Sequence, residues 1–403
     1  MSIVPLAGRV FQAVPGFEDH LRWELGRWNE VWGDCQADVD TGNSGNAAFA
    51  RKPSQHSALY YVDDTPPPIA LPCLGQFQND SPVAGPSAAN QLQEGQYTAA
   101  RPDTADSVPP VFWARNVWFE PFRLEFESIS EVAAALRAIQ RNWAPALFTQ
   151  FRRGALIAEK LPPLPFKRRP FPWLLPDLPM GSWTLLDAHT MIASTRCASP
   201  FPNGVIEFEE DKEGPPSRAY LKLWEALVRS RKWPGPGQRC LDAGASPGGW
   251  TWALAKLGAE VIAVDRAPLE DRVLSMPGVS FIKHDAFTLS PEDIGPVDWL
   301  FCDVICYPAR LYAWIEKWLA SGLCRNFVCT IKMQGAVNNA SAVTGDRVSA
   351  GKNTLSDDEA PVSVGESGNS NQWFNTAHDF ASIPGSKVVH LYHNKHELTW
   401  IKT

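Results

Sequence analysis

From residue 239 onward, short apolar runs alternate with amphipathic stretches of helical length. The apolar runs fall at 239–242, 259–265, 279–285, 297–303, 326–333, 386–392 and 397–402. Each has the length of a strand and carries a short apolar stretch. Helical stretches fill 248–257, about 307–320 and about 372–381, and another, Ser217 to Arg229, precedes the first run. Five strand–helix steps in succession predict an open, mostly parallel α/β sheet. The last two runs are joined only by His393 to His396, too short for a crossover, so they are predicted to be antiparallel.

The first half of the chain is patterned less clearly. A helix is predicted over Glu18 to Trp28, a strand at Tyr60 to Val62, a strand over Phe112 to Phe119, an amphipathic helix over Glu131 to Ile139 and a strand within Leu185 to Thr195. Residues 40–110 are rich in Gly, Ser, Asn, Asp, Ala and Pro and read as loop around the Tyr60 strand. Leu161 to Met180 is Pro-rich and carries Lys167, Arg168 and Arg169. Residues 336–371 hold no aromatic residue and read as a flexible insertion in the second half.

Composition narrows the class. With 403 residues and 44% hydrophobic content the chain can bury more than one core. A formal charge of −7 excludes a polycation, so any nucleic-acid binding rests on local patches. Arg152-Arg153, Lys167-Arg168-Arg169 and Arg229-Arg231-Lys232 are the candidates. No apolar run has the length of a membrane span and the first residues lack a leader pattern. The cysteines include no C-x-x-C pair and several sit in apolar runs, which suits reduced thiols in a cytoplasmic protein. No metal site is expected: Cys302 and Cys306 lack a zinc-knuckle partner, and His390 and His393 fall on opposite sides of a strand.

The chemistry gathers around one stretch, Cys240 to Asp265. An apolar run meets Asp242, a turn Gly244-Ala245-Ser246-Pro247-Gly248-Gly249 follows, then a helix, then a second strand ending on Asp265. The turn is not G-x-G-x-x-G and no Lys-Ser/Thr pair closes it, which excludes dinucleotide and P-loop signatures. Glycines let a ligand approach the backbone, and a carboxylate ending the second strand suits the hydroxyls of a ribose.

D-x-G-x-x-P-G-G-W resembles the S-adenosylmethionine loop of the FtsJ-like ribose 2′-O-methyltransferases. Moving a methyl group to a sugar hydroxyl requires alignment and a base for the hydroxyl proton. A lysine serves as that base only if its pKa falls, which burial and a second cation both favour. Four residues occur in the order of the family's K-D-K-E tetrad: Lys222 on the helix before the first strand, Asp303 and Lys332 at the ends of two apolar runs, and Glu397 opening the last. Each has a plain structural alternative: Asp303 a strand cap, Lys332 leaving the sheet for solvent, Lys222 paired with Glu225 one turn on, and Glu397 an ordinary strand residue. Ala198-Ser199-Pro200-Phe201, Pro216-Ser217-Arg218, Leu221 to Ala226, Trp318-Leu319 and Leu391-Tyr392-His393 are similar to the RlmM family, which methylates a cytidine 2′-hydroxyl of large-subunit ribosomal RNA.

That resemblance implies a Rossmann-like methyltransferase sheet over residues 201–403, preceded by an α+β RNA-binding region. The latter would comprise a ferredoxin-like part over 1–120 and a reduced THUMP-like part over 121–200, short of strands between 140 and 190. It implies S-adenosylmethionine as cofactor and ribosomal RNA as partner; the sequence does not give the oligomeric state, with a monomer slightly favoured. It makes Lys332 the general base with Lys222, Asp303 and Glu397. Gly244, Ser246, Pro247, Gly248 and Gly249 would form the cofactor turn, Asp265 would hold the cofactor ribose, Asp285 the adenine, and Asp303 the methyl end. Where the family has a second serine before the first lysine, this chain has Ala219. The alternative is an RNA-binding protein that keeps the fold without turnover.

Overall fold

The computed structural model describes residues 2–6, 8–32, 59–62, 111–175, 179–333 and 368–403. The expected low-complexity tract lies outside them apart from the strand Leu59–Val62. So does the expected 336–371 insertion, except that its last residues already belong to a helix, Gly368–Ala381.

A seven-stranded sheet forms the second half. Its order is Val279–Lys283, Glu260–Asp265, Arg239–Ala243, Trp299–Cys302, Asn326–Lys332, Glu397–Lys402, Ser386–Val389. The first five strands are parallel. Glu397–Lys402 runs antiparallel to both of its neighbours, as the short connection before it requires. The register sets Lys332 directly opposite Glu397. The strand expected over 386–392 stops at Val389, because the backbone N–H groups of Tyr392 and His393 turn away to a side chain, Glu225.

Side chains alternate across the sheet into two layers. Trp299 and Phe301 face the helices Tyr220–Ser230 and Gly249–Lys256. Leu300 and Cys302 face Pro308–Ser321 and Gly368–Ala381. Burial on both faces explains why these strands read as continuous apolar runs. Of the described cysteines, Cys240, Cys302, Cys306, Cys324 and Cys329 are buried and free.

Two smaller sheets precede this one. One has the order Leu59–Val62, Arg9–Ala13, Ala114–Phe119, Arg196–Cys197. The other runs Ser2–Pro5, Phe122–Glu125, Thr190–Ser194, Gly181–Leu185, Trp143–Pro145. The expectation of few strands between 140 and 190 is therefore corrected: Trp143–Pro145 and Gly181–Leu185 both lie there, with a helix, Phe151–Glu159, between them. The helix Ile129–Ile139 begins on a capping box of Ser128 and Glu131, whose reciprocal bonds satisfy N-terminal N–H groups.

The N-terminal helix Glu18–Trp32 places Leu21 and Leu25 in the same core as Leu300 and Trp318. Glu24, fully buried, anchors it by accepting the N–H of Phe112 at 2.7 Å and of Trp113 at 3.0 Å. Burial pushes its carboxyl up to about 8, against those two bonds. A folded pKa above the ordinary value of 4.5 means that stability is full below about 4.5 and is lost as pH rises through about 8. Thermal melts at a series of pH values should show the midpoint falling across that window, and Glu24→Gln should flatten the fall.

Candidate active site

The tightest polar cluster lies at the carboxyl ends of the central strands, where open α/β sheets bind ligands. Asp303 follows the strand Trp299–Cys302, Lys332 ends Asn326–Lys332, and Glu397 opens the antiparallel strand beside it. Lys222 arrives from the helix Tyr220–Ser230, packed on the sheet through Tyr220, Leu223 and Trp224. Four residues far apart in sequence close one ring. Lys222 Nζ donates to Asp303 at 2.9 and 3.1 Å and to Glu397 Oε1 at 2.7 Å. Lys332 Nζ donates to Asp303 Oδ1 and to Glu397 Oε2, each at 2.6 Å. Side-chain exposures run from 9% to 16%, so the charges are screened little by water.

These contacts decide between the alternatives left open by the sequence. Lys222 does not pair with Glu225, Lys332 does not leave for solvent, and Asp303 takes both lysines. The expectation of a lowered lysine pKa is corrected. Burial alone would lower Lys332, but Asp303 and Glu397 outweigh it and hold its ammonium above its ordinary value. Asp303 is raised by burial and drawn down further by Lys222 and Lys332, ending below the usual carboxylate range. Two cations and two anions leave the ring neutral overall, which is how buried charges are tolerated.

The glycine turn lies next to the ring. Gly244 has φ +80°, and a Cβ there would sit 2.4 Å from Val304 Cγ2 and 3.1 Å from Val304 N, just past Asp303. At Gly249 a Cβ would sit 2.5 Å from Ser217 Oγ, so the first turn of the helix packs against the segment leading to Lys222. Backbone bonds tie the turn to the next strand: Gly244 N donates to Val264 O at 2.8 Å, and Glu270 N donates to Pro247 O at 3.1 Å. Asp265 accepts from Ser246 N at 3.0 Å and from Ala267 N at 2.9 Å, so it organises the loop and keeps lone pairs for hydroxyl donors. Gly244→Ala should cost about 1–3 kcal/mol of stability from backbone strain alone. A lower thermal midpoint together with lost ligand binding at the turn is the expected reading.

Asp285 stands past the end of the neighbouring strand. Its Oδ2 holds Arg266, and Arg310 at 3.2 Å, while Oδ1 caps Phe287 N at 3.0 Å. Burial raises it, and Arg266 with Phe287 N bring it below the carboxylate range. Beneath the turn, Asp242 is fully buried. Burial pushes it up to about 7, although Thr251 donates to Oδ2 at 2.6 Å, and its Oδ1 has no hydrogen-bond partner.

A cavity of about 930 Å³ opens onto the ring. Lys222, Lys332 and Glu397 line it, with Arg168, Glu210, Arg218, Tyr392 and His393 around them. Arg168 and Arg218, both exposed, are each engaged in two bonds by an acid, Glu207 and Glu210 respectively. Arg229, a phosphate candidate from sequence, is instead committed to Glu225 at 2.9 Å. The three C-terminal histidines do not converge: His390 meets Lys395 O, His393 meets Glu225, and His396 meets His20 at 3.3 Å. Among the described residues no group of three or more His, Cys, Asp or Glu is arranged to hold a metal.

Sequence reasoning missed Glu225, which reads as one more charge on a helix, and Thr251, which partners Asp242. Only the apolar neighbours on both sides of Glu225 signal that its face is buried.

Residues 215–337 match the sequence model of the FtsJ-like methyltransferases. The chain is 38% identical over 144 residues to the ribosomal RNA large subunit methyltransferase M of Azoarcus sp. (strain BH72), covering 34% of this chain and 38% of that one. The protein of the same name from Xanthomonas oryzae pv. oryzae (strain PXO99A) is 32% identical over 210 residues, covering 51% and 57%. The matched part thus spans well under two thirds of these relatives. Among solved structures, the 1,6-didemethyltoxoflavin-N1-methyltransferase of Burkholderia thailandensis aligns over 29% of this chain and 53% of its own at 20% identity and a TM-score of 0.23, too slight to bear on the fold. The matched segment holds Lys222, the glycine turn, Asp303 and Lys332 together, so over residues 215–337 the chain is similar to the FtsJ-like methyltransferases, and its curated relatives bear the name of the RlmM family that its motifs resemble.

Proposed function

We propose that this protein is an S-adenosylmethionine-dependent 2′-O-ribose methyltransferase acting on large-subunit ribosomal RNA, at a cytidine, with Lys332 as general base. The fold is read as a Rossmann-like methyltransferase domain over 201–403, working in the cytoplasm behind an RNA-binding region that divides near residue 120. The observation that carries this reading is the closed ring of Lys222, Asp303, Lys332 and Glu397, with every link between 2.6 and 3.1 Å.

The residues present suit the cofactor. Gly248 and Gly249 leave the turn without side chains, Asp265 keeps acceptors for a ribose, and Asp242 has an unpaired buried oxygen beneath the turn. Gly244, Ser246, Pro247, Gly248, Gly249 and Asp265 would hold it, Asp285 facing the base and Asp303 the methyl end. S-adenosylmethionine supplies, when bound, a methyl group on a positively charged sulfur.

The chain's own part is alignment and proton handling. Lys222, Lys332 and Glu397 line the cavity, so a hydroxyl entering from that side meets Lys332. Asp303 is not among the lining residues and reaches the lysines from the strand ends. At rest Asp303 and Glu397 keep Lys332 protonated. Asp303 also shares its charge with any cation placed beside it, and its hold on Lys332 then weakens, which favours release of the ammonium proton to solvent and leaves the neutral amine. Neutral Lys332 accepts the hydroxyl proton, while Lys222 stays bound to both carboxylates and preserves the geometry.

The test is incubation of the full chain with methyl-labelled cofactor and unmodified ribosomal RNA, followed by mapping of the label. Label on one ribose 2′-oxygen of large-subunit RNA is expected. Cofactor binding with no incorporation would instead identify an RNA-binding protein that retains the fold.

A further inference from the structure

The helix that supplies Lys222 also carries Glu225, whose side chain has no exposed surface. Its carboxylate collects four donors. Oε1 accepts from Arg229 Nε at 2.9 Å and Tyr392 N at 2.9 Å. Oε2 accepts from His393 N at 3.1 Å and His393 Nδ1 at 2.9 Å. Burial works to raise its pKa, but Arg229 and His393 outweigh it and bring it down to about 2. A buried carboxylate is costly unless its partners repay the loss of water. Three of the four donors come from one turn, Tyr392-His393, just before Glu397.

That turn lines the cavity with Lys222, Lys332 and Glu397. Because Nδ1 is committed to Glu225, the imidazole is fixed in one orientation and its second nitrogen is left for a ligand. The Tyr392 ring is backed by the Arg115 guanidinium at 5.3 Å and meets the His393 ring edge-on at 5.0 Å. A pair of rings held this firmly at a cavity wall is built as a surface and not as a loose loop. A staple between helix and strand alone would need only the backbone bonds, and would leave the Nδ1 bond and the ring's place in the cavity unexplained.

We propose that Glu225 is a positioning residue that locks Tyr392 and His393 as the recognition wall for the ribonucleoside entering the cavity. His393 hydrogen-bonds that nucleoside and the Tyr392 ring packs against its base. This rests on the reading of the cavity as the RNA-facing side of the lysine ring.

The test is titration of the full chain with a short single-stranded RNA of mixed sequence, alongside melting temperature and cofactor affinity. It does not depend on turnover. His393→Ala should weaken RNA binding about tenfold, the value of one hydrogen bond in a desolvated pocket, with cofactor affinity unchanged and melting lowered only slightly, because Glu225 keeps Arg229 and two backbone N–H donors. His393→Gln should recover part of that loss, and Glu225→Gln should weaken binding in the same direction. Wild-type RNA affinity in His393→Ala overturns the proposal. So does a loss of affinity that merely tracks a lower melting temperature, and so does a wild-type chain that binds no RNA. A wild-type chain that transfers no methyl, yet binds RNA through His393, overturns the methyltransferase reading and leaves this recognition wall standing.

Discussion

Lys332→Ala should reduce methyl transfer by about 10³-fold while cofactor affinity stays within a few-fold of wild type, the size of effect expected when a positioned base is lost. The fold should survive. Lys222 still reaches both Asp303 and Glu397, so neither carboxylate is left without a cation. Lys332→Arg separates the base from the charge. Arginine keeps the positive charge and pairs with both acids, but it does not give up its proton at any working pH. It should therefore be as inactive as the alanine variant. Methyl incorporation and cofactor titration on the two variants check this, and wild-type turnover in Lys332→Arg would reduce Lys332 to an electrostatic prop.

The second half of the chain was legible because its central strands are buried on both faces and end on chemical groups. Cys240 to Ala243 runs into the glycine turn, Trp299 to Cys302 into Asp303, and Asn326 to Ile331 into Lys332. Apolar runs of that kind stand out against amphipathic helices. The strands missed in the first half lack this contrast. Gly181–Leu185 is not a continuous apolar run, because Ser182 and Thr184 are polar although buried. Trp143–Pro145 is three residues long and ends in proline, and Ser2–Pro5 is exposed throughout. Such strands exist because neighbouring strands supply their partners, which local pattern does not encode.

The candidate site divides the same way. The four members of the ring were found from their places at strand and helix ends, by likeness to a known order of residues. Their charge state was not, because it depends on distances. Burial argues for a lowered Lys332 pKa, and two carboxylates at 2.6 Å reverse that sign. Glu225 was legible only as a helix residue one turn from Lys222. Three of its four donors lie at the other end of the chain, brought beside it by the last strand pair.

Asp303→Asn should lower the maximal rate by about 10²-fold and move the rising limb of the rate–pH profile to lower pH. The two effects have different origins. The drop in rate follows from loss of the Asp303 carboxylate, a fixed charge where the reaction moves charge. The pH shift follows from Lys332. Asp303 is the strongest influence raising its pKa, ahead of Glu397, so removing that charge lowers the pH at which the amine loses its proton. A base must be deprotonated to act, so activity then appears at a lower pH than in wild type. Turnover measured across pH at saturating cofactor separates the readings. A lower rate with an unshifted limb would mean that the titrating group is not Lys332, and the assignment of the base would have to move elsewhere in the ring.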